Sequence, residues 1–154
     1  MFQFNDQIKN RINEKYRLEE NTCSIHVRRG DYIGNGLHEV CHLEYYLEAV
    51  EEMKSRTEID KFIVFSDDIA WCKENFIGEN FLFIENNSNI EDLYLQTQCT
   101  NNIICNSSFS WWGAWLNANP NKVVIAPECW YGDLSKDTKD LLPEKWIKLK
   151  IKTI

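Results

Sequence analysis

Two stretches of this sequence concentrate residues able to grip an anion. The first, "CSIHVRRGDY" at 23–32, ends an alternating apolar run on the adjacent pair Arg28 and Arg29. The second, "CNSSFS" at 105–110, offers three hydroxyls, Ser107, Ser108 and Ser110, just before an apolar helical pattern. A planar guanidinium takes two phosphate oxygens at once and keeps its charge at any working pH. The first N–H groups of a helix lack intrahelical partners, and the macrodipole adds positive potential there, so hydroxyls and N–H groups at 107–110 suit the same ligand. Pattern alone leaves a second use of the arginines level with this one, an ion pair to an acidic helix, and plain N-capping as a second use of the serines. Asp67 and Asp68 read as the start of a helix whose dipole they offset. An adhesive use of the tripeptide at 29–31 finds no support, because the chain shows neither a secretory signal nor a disulfide framework.

The chain has no G-x-x-x-x-G-K-[ST] and no G-x-G-x-x-G, which excludes the P-loop and the common dinucleotide fingerprint. It also lacks a D-x-D pair, and His26, His38 and His42 do not have metal-ligand spacing. The positive charge facing a diphosphate therefore falls to arginine, with no metal or other cofactor expected. Trp111, Trp112 and Trp115 read as core packing on the face of a sheet-covering helix.

The elements that must position these residues follow from periodicity. Ile8, Ile12 and Tyr16 mark an opening amphipathic helix that runs roughly to Glu20. "CSIHVRR", "KFIVFS", "NFLFIE", "NIIC" and "KVVIAP" read as short β-branched strands. Between them lie helical patterns: "HLEYYLEAVEEMKS" with Leu43, Tyr46, Leu47, Val50 and Met53 on its apolar face, "DDIAWCKENF", "SNIEDLYLQTQCT" with Ser88 and Glu91 at capping-box spacing, and "SSFSWWGAWLNAN" closed by Asn-Pro. "EKWIKLKI" suits either a last strand or a strap across the sheet. Apolar strands alternating with helices predict an α/β domain, a Rossmann-like parallel sheet with helices on both faces. In such sheets ligands sit beyond the carboxyl ends of the strands, where both anion-gripping stretches fall.

At 154 residues the chain suits one domain with a core that needs no staples. Its six cysteines are scattered and form no C-x-x-C cluster, which predicts buried reduced thiols and a cytoplasmic setting, with peripheral contact at the inner membrane face left open. A net charge of -7 argues against nucleic acid as a partner and makes the pair at 28–29, out of only five arginines, a local exception.

"HVRRGDY" resembles the H-x-R-R-G-D-Y signature of the bacterial α-1,2-fucosyltransferases, glycosyltransferase family 11, and "NSSFSWWGAWL" resembles that family's second signature. With "FIVFSDD" and "KVVIAPECWY" the resemblance covers essentially all of residues 21–149. It implies a GT-B-like enzyme that transfers L-fucose from GDP-fucose, with inversion and no required metal, to the 2-hydroxyl of a galactose-containing glycan acceptor. It also implies that Arg28 binds the β-phosphate, that Ser107, Ser108 and Phe109 hold the diphosphate with Arg29 and Ser110 alongside, that Asp92 contacts guanine and that His26 helps bind the nucleoside. Loss of fucose leaves negative charge on the β-phosphate, which a fixed guanidinium stabilises more in the transition state than in the ground state. For the general base, the loop after the first strand offers Asp31, His38 and Glu39. Asp31 is the first choice, with pairing to Arg29 as its structural alternative.

Family members run to nearly twice this length, with another domain ahead of the H-x-R-R motif. The expectation is therefore a donor-binding half: residues 1–20 an opening helix left from a preceding acceptor domain or linker, and residues 21–154 the nucleotide-sugar domain. An opening helix of that origin would expose an apolar stripe. The alternative to an active transferase is a GDP-fucose-binding module without turnover.

Overall fold

The structure is a computed structural model that describes residues 2–18, 21–133 and 140–151. Its elements in chain order are α1 (Asp6–Lys15), β1 (Thr22–Val27), a 3-10 turn (Gly30–Tyr32), α2 (Leu43–Arg56), β2 (Lys61–Ser66), α3 (Ile69–Asn75), β3 (Phe81–Phe83), α4 (Asn89–Gln98), β4 (Asn101–Ile103), α5 (Ser108–Trp115), β5 (Val124–Pro127) and β6 (Ile147–Leu149). The strands form one sheet in the order β3-β2-β1-β4-β5-β6, and every pair is parallel. The predicted doubly covered α/β sheet is the observed one, and "EKWIKLKI" supplies its edge strand β6 rather than a strap.

The order decides where a ligand can sit. The chain builds outward from β1 through β2 to β3, then returns to β1's other side with β4, so the direction of winding reverses between β1 and β4. Helices leave these two strands on opposite faces, opening a crevice at their carboxyl ends. On one face Cys23, Ile25 and Val27 of β1 pack with Tyr46, Val50 and Met53 of α2 and with Cys72 of α3. On the other, Ile63 and Phe65 meet Tyr94 and Leu95 of α4, and Ile104 meets Ala114 of α5. All six cysteines are free thiols.

Four details depart from the sequence reading. Helix α1 stops at Lys15 rather than near Glu20, because Tyr16 turns to extended backbone, where its hydroxyl receives a hydrogen bond from Asn87 at 2.9 Å. Glu19 and Glu20 lie outside the described residues. The stripe of α1 is not exposed: Ile12 is fully buried, Ile8 and Tyr16 pack beside it against the α4 layer, and Arg11 pairs with Glu91 at 2.8 Å. Burying Ile12 alone contributes about 2 kcal/mol. In α2 the buried face holds Tyr45 and Ala49, while Leu47 is exposed, because the Tyr45 hydroxyl finds a partner inside, the Ile104 carbonyl at 2.5 Å. In α5 only Trp111 packs inward, its indole N–H donating to the Leu141 carbonyl at 2.9 Å, whereas Trp112 and Trp115 are about half exposed. The inner face of α5 belongs to small residues. A side chain at Gly113 would stand 2.7 Å from Gln96 Oε1, so the close approach of α5 to α4 forces the bulky indoles outward.

Candidate functional site at the switch point

The β1/β4 register sets Ile25 beside Ile103, which brings the residues after each strand end together. His26 Nδ1 lies 3.4 Å from Cys105 Sγ, and the Tyr32 hydroxyl donates to the Asn106 carbonyl at 3.2 Å. The loop carrying Arg28 and the turn carrying Ser107 to Ser110 thus converge. Asn106, nearly fully buried, fixes the arrangement: its amide donates to the His38 carbonyl at 2.8 Å and to the Trp130 carbonyl at 2.9 Å. One side chain therefore pins the loops after β1, β4 and β5. Gly132 closes the seam, since a Cβ there would fall 1.8 Å from the Gly36 carbonyl oxygen. Sequence reasoning passed over Asn106, whose only signal was its place at the head of the serine-rich turn.

Ser107 is the N-cap of α5 by backbone angles yet makes no side-chain capping bond, so simple capping is not its use. The first-turn N–H groups are left for another acceptor. Ser108 is exposed and Phe109 half-buried, whereas Ser110 is fully buried, with its hydroxyl donating to the Ser107 carbonyl at 3.3 Å. Ser110 therefore shapes the turn from within.

The two arginines diverge. Arg28 donates through Nη2 to Asp31 at 2.7 Å, lies 3.7 Å from Asp67 through Nε and sits over the Tyr32 ring at 5.3 Å. Arg29 is engaged away from the α5 turn, with Nε 3.1 Å from Asp68 and its guanidinium 4.0 Å above the Trp71 ring. The ion-pair reading is thus realised for both. Asp31 pairs with Arg28 rather than Arg29. Asp68 also caps α3 as anticipated, accepting from the Trp71 N–H, while Asp67 accepts the Arg29 N–H at 2.8 Å. Gly30 lets Asp67 sit close, because a Cβ there would meet Asp67 Oδ2 and displace that carboxylate.

The remaining candidates spread along the crevice. His26 is buried against the Phe109 ring, with Nδ1 3.4 Å from Cys105 Sγ, and burial pushes its pKa down to about 4, leaving the imidazole neutral. Glu91 completes the capping box with Ser88. That leaves Asp92, whose carboxyl burial pushes up to about 6 and whose Oδ1 has no hydrogen-bond partner among the described residues. Gln96 of α4 faces Gly113 of α5, and one turn earlier on these parallel helices come Asp92 and Phe109. Of the base candidates, Asp31 is exposed and held below the usual carboxylate range by the Arg28 hydrogen bond. Glu39 is tied to the Gly34 N–H, and His38 stacks on Tyr32 at 5.2 Å. Among the described residues no group of three or more His, Cys, Asp or Glu side chains is placed to hold a metal ion, and no helix is long and apolar enough to cross a membrane.

Fold and crevice together define a Rossmann-like domain with an arginine- and hydroxyl-bearing mouth at its switch point. The chain belongs to glycosyl transferase family 11, whose family model matches residues 2–150. The O-antigen biosynthesis glycosyltransferase WbnK of Escherichia coli is 36% identical over 163 residues, covering 97% of this chain and 53% of WbnK. An α-1,2-colitosyltransferase of Escherichia coli is 40% identical over 138 residues, covering 84% of this chain and 48% of the relative. Galactoside α-(1,2)-fucosyltransferase 1 of Aotus azarae is 30% identical over 147 residues, covering 80% and 37%. The chain thus spans about half the length, or less, of these relatives. Among solved structures, the α-1,6-fucosyltransferase NodZ, from a crystal soaked with GDP-fucose, shares the fold at a TM-score of 0.51 and 17% identity, over 71% of this chain and 41% of NodZ.

Proposed function

We propose that this domain holds the nucleotide-sugar donor of a fucosyl-type transfer, GDP-fucose, and serves an inverting α-1,2-transfer to the 2-hydroxyl of a galactose-type acceptor. The observation that carries it is the convergence of the loop carrying Arg28 with the uncapped start of α5 across the β1/β4 crevice, where the Tyr32 hydroxyl donates to the Asn106 carbonyl. Guanidinium and helix N–H groups there suit a diphosphate without calling on a metal. At the α4 end, the Asp92 carboxylate, whose Oδ1 is without a hydrogen-bond partner among the described residues, suits guanine, which presents N1–H and N2–H donors side by side, whereas adenine offers no such pair.

Arg28 has a second consequence. Its ion pair keeps Asp31 weakly basic while the site is unliganded. A β-phosphate that draws the guanidinium to itself releases Asp31, so donor binding raises the basicity of the carboxylate beside the acceptor position. As the sugar–phosphate bond breaks, charge accumulates on the phosphate that Arg28 faces, and stabilisation grows with that charge.

Transfer of labelled fucose from GDP-fucose to lactose by the full chain tests this reading. GDP binding without transfer would favour a binding module, and failure to bind GDP would end the proposal. The 40% identity with an α-1,2-colitosyltransferase supports a second transferred sugar, colitose, and competition between fucose and colitose donors ranks them.

A further inference from the structure

A cavity of about 140 Å³ opens next to the crevice, between the loop after β1 and the first turn of α2. Arg28, Tyr32 and His38 border it on the crevice side, and Val40, Leu43 and Tyr46 line it toward α2. It is smaller than the ~300–1,000 Å³ of pockets for drug-sized ligands, so it suits a single ring rather than an oligosaccharide. Two of its lining residues carry buried donors without hydrogen-bond partners among the described residues, Arg28 Nε and the Tyr46 hydroxyl. The Tyr46 hydroxyl is buried among the Cys41 and Cys105 thiols, which are weak partners. Leaving such donors unsatisfied is unfavourable; Arg28 Nε has the Asp67 carboxylate 3.7 Å away, so the Tyr46 hydroxyl is the donor that a ligand oxygen would satisfy.

Asp92, the α5 start, Arg28 and this cavity succeed one another across the sheet's carboxyl edge, from the α4 side to the α2 side. We infer that the cavity seats the donor's transferred pyranose, a 6-deoxyhexose, with Tyr46 reading a ring hydroxyl and Val40 and Leu43 facing the C6 methyl. The inference rests on the diphosphate lying at Arg28, because the sugar is the next group along the molecule. A hexose with a 6-hydroxyl would set that polar group against the apolar wall, where it finds no partner.

The test uses the full chain and its Tyr46→Phe variant, with GDP, GDP-fucose and GDP-mannose as calorimetric probes. Removing an orphaned hydroxyl leaves the fold intact, so the variant's melting temperature should match or exceed the wild type's. GDP affinity should not change. The ratio of GDP-fucose to GDP affinity should fall roughly three- to tenfold in the variant, the worth of one neutral hydrogen bond. GDP-mannose should bind the wild type more weakly than GDP-fucose. An unchanged ratio in Tyr46→Phe overturns the inference and leaves the GDP reading standing, as does lactose competing for the sugar increment, which would make the cavity an acceptor subsite. Absence of GDP binding overturns both.

Discussion

Protonation of Asp92 should control donor affinity across the mildly acidic range. Burial raises this carboxyl to about 6 in the unliganded protein, against an ordinary value near 4. A guanine edge presents only donors to it, so the ionised form binds and the protonated form does not. For a group titrating at about 6, the ionised fraction is nearly complete at about pH 7.5 and roughly one-tenth at about pH 5.0, and affinity should fall roughly tenfold between them. The sign is fixed: affinity is present above the pKa and lost as pH drops through it. Calorimetry with GDP-fucose is the suitable assay, because its diphosphate is esterified at both ends and lacks the terminal phosphate proton that titrates near 6 in GDP. Asp92→Asn serves as control, with weak binding that no longer depends on pH. The same burial penalises the ionised carboxylate in the empty fold, so stability falls as pH rises from about 4 to about 6, and Asp92→Asn should melt higher than wild type at about pH 7.5. Equal affinities at the two pH values, or the same pH dependence in Asp92→Asn, would refute the assignment of this carboxylate to the base.

Arg28→Lys should weaken GDP binding and lower transfer roughly tenfold or more, since a lysine point charge cannot reproduce the two-pronged contact, and titration calorimetry with steady-state kinetics would detect it. Asn106→Ala should lower stability by about 2 to 4 kcal/mol in urea denaturation, because the His38 and Trp130 carbonyls each lose a buried donor. Donor binding should suffer in the same variant even at temperatures where it is fully folded. A chelator should leave GDP-fucose affinity unchanged in calorimetry, and a strict requirement for a divalent ion would contradict the role given to arginine.

Alternation and helical spacing were enough to read the doubly covered parallel sheet, because each strand is short, β-branched and bounded by turn residues. The capping box at Ser88 and Glu91 was legible for the same reason, since its pattern is local. What periodicity could not reveal was direction. Adjacent Arg28 and Arg29 look equivalent in a string of letters, but successive side chains at a strand end point to opposite faces, and Asp68 with Trp71 claims only one of them. Trp112 and Trp115 were misplaced because hydrophobicity alone does not tell which face of α5 must be thin, a matter settled by the contact of Gly113 with Gln96. The stripe on α1 was legible as apolar, but its partner α4 lies some eighty residues away in the chain, and no local pattern names it. Asn106 stayed hidden for a like reason, since both of its acceptors are backbone atoms in remote loops.

The clasp formed by Asn106 links loop lengths that would otherwise vary independently. Its amide holds the carbonyls of His38 and Trp130 at once, and Gly132 seats directly on Gly36, so the segments after β1 and β5 form one mechanical piece. A chimaera that grafts either segment from a relative alone would misalign the other, whereas exchanging both together, with the Asn106 turn retained, keeps the rim of the crevice in register. The clasp therefore favours paired replacement of the two segments over insertion in one of them.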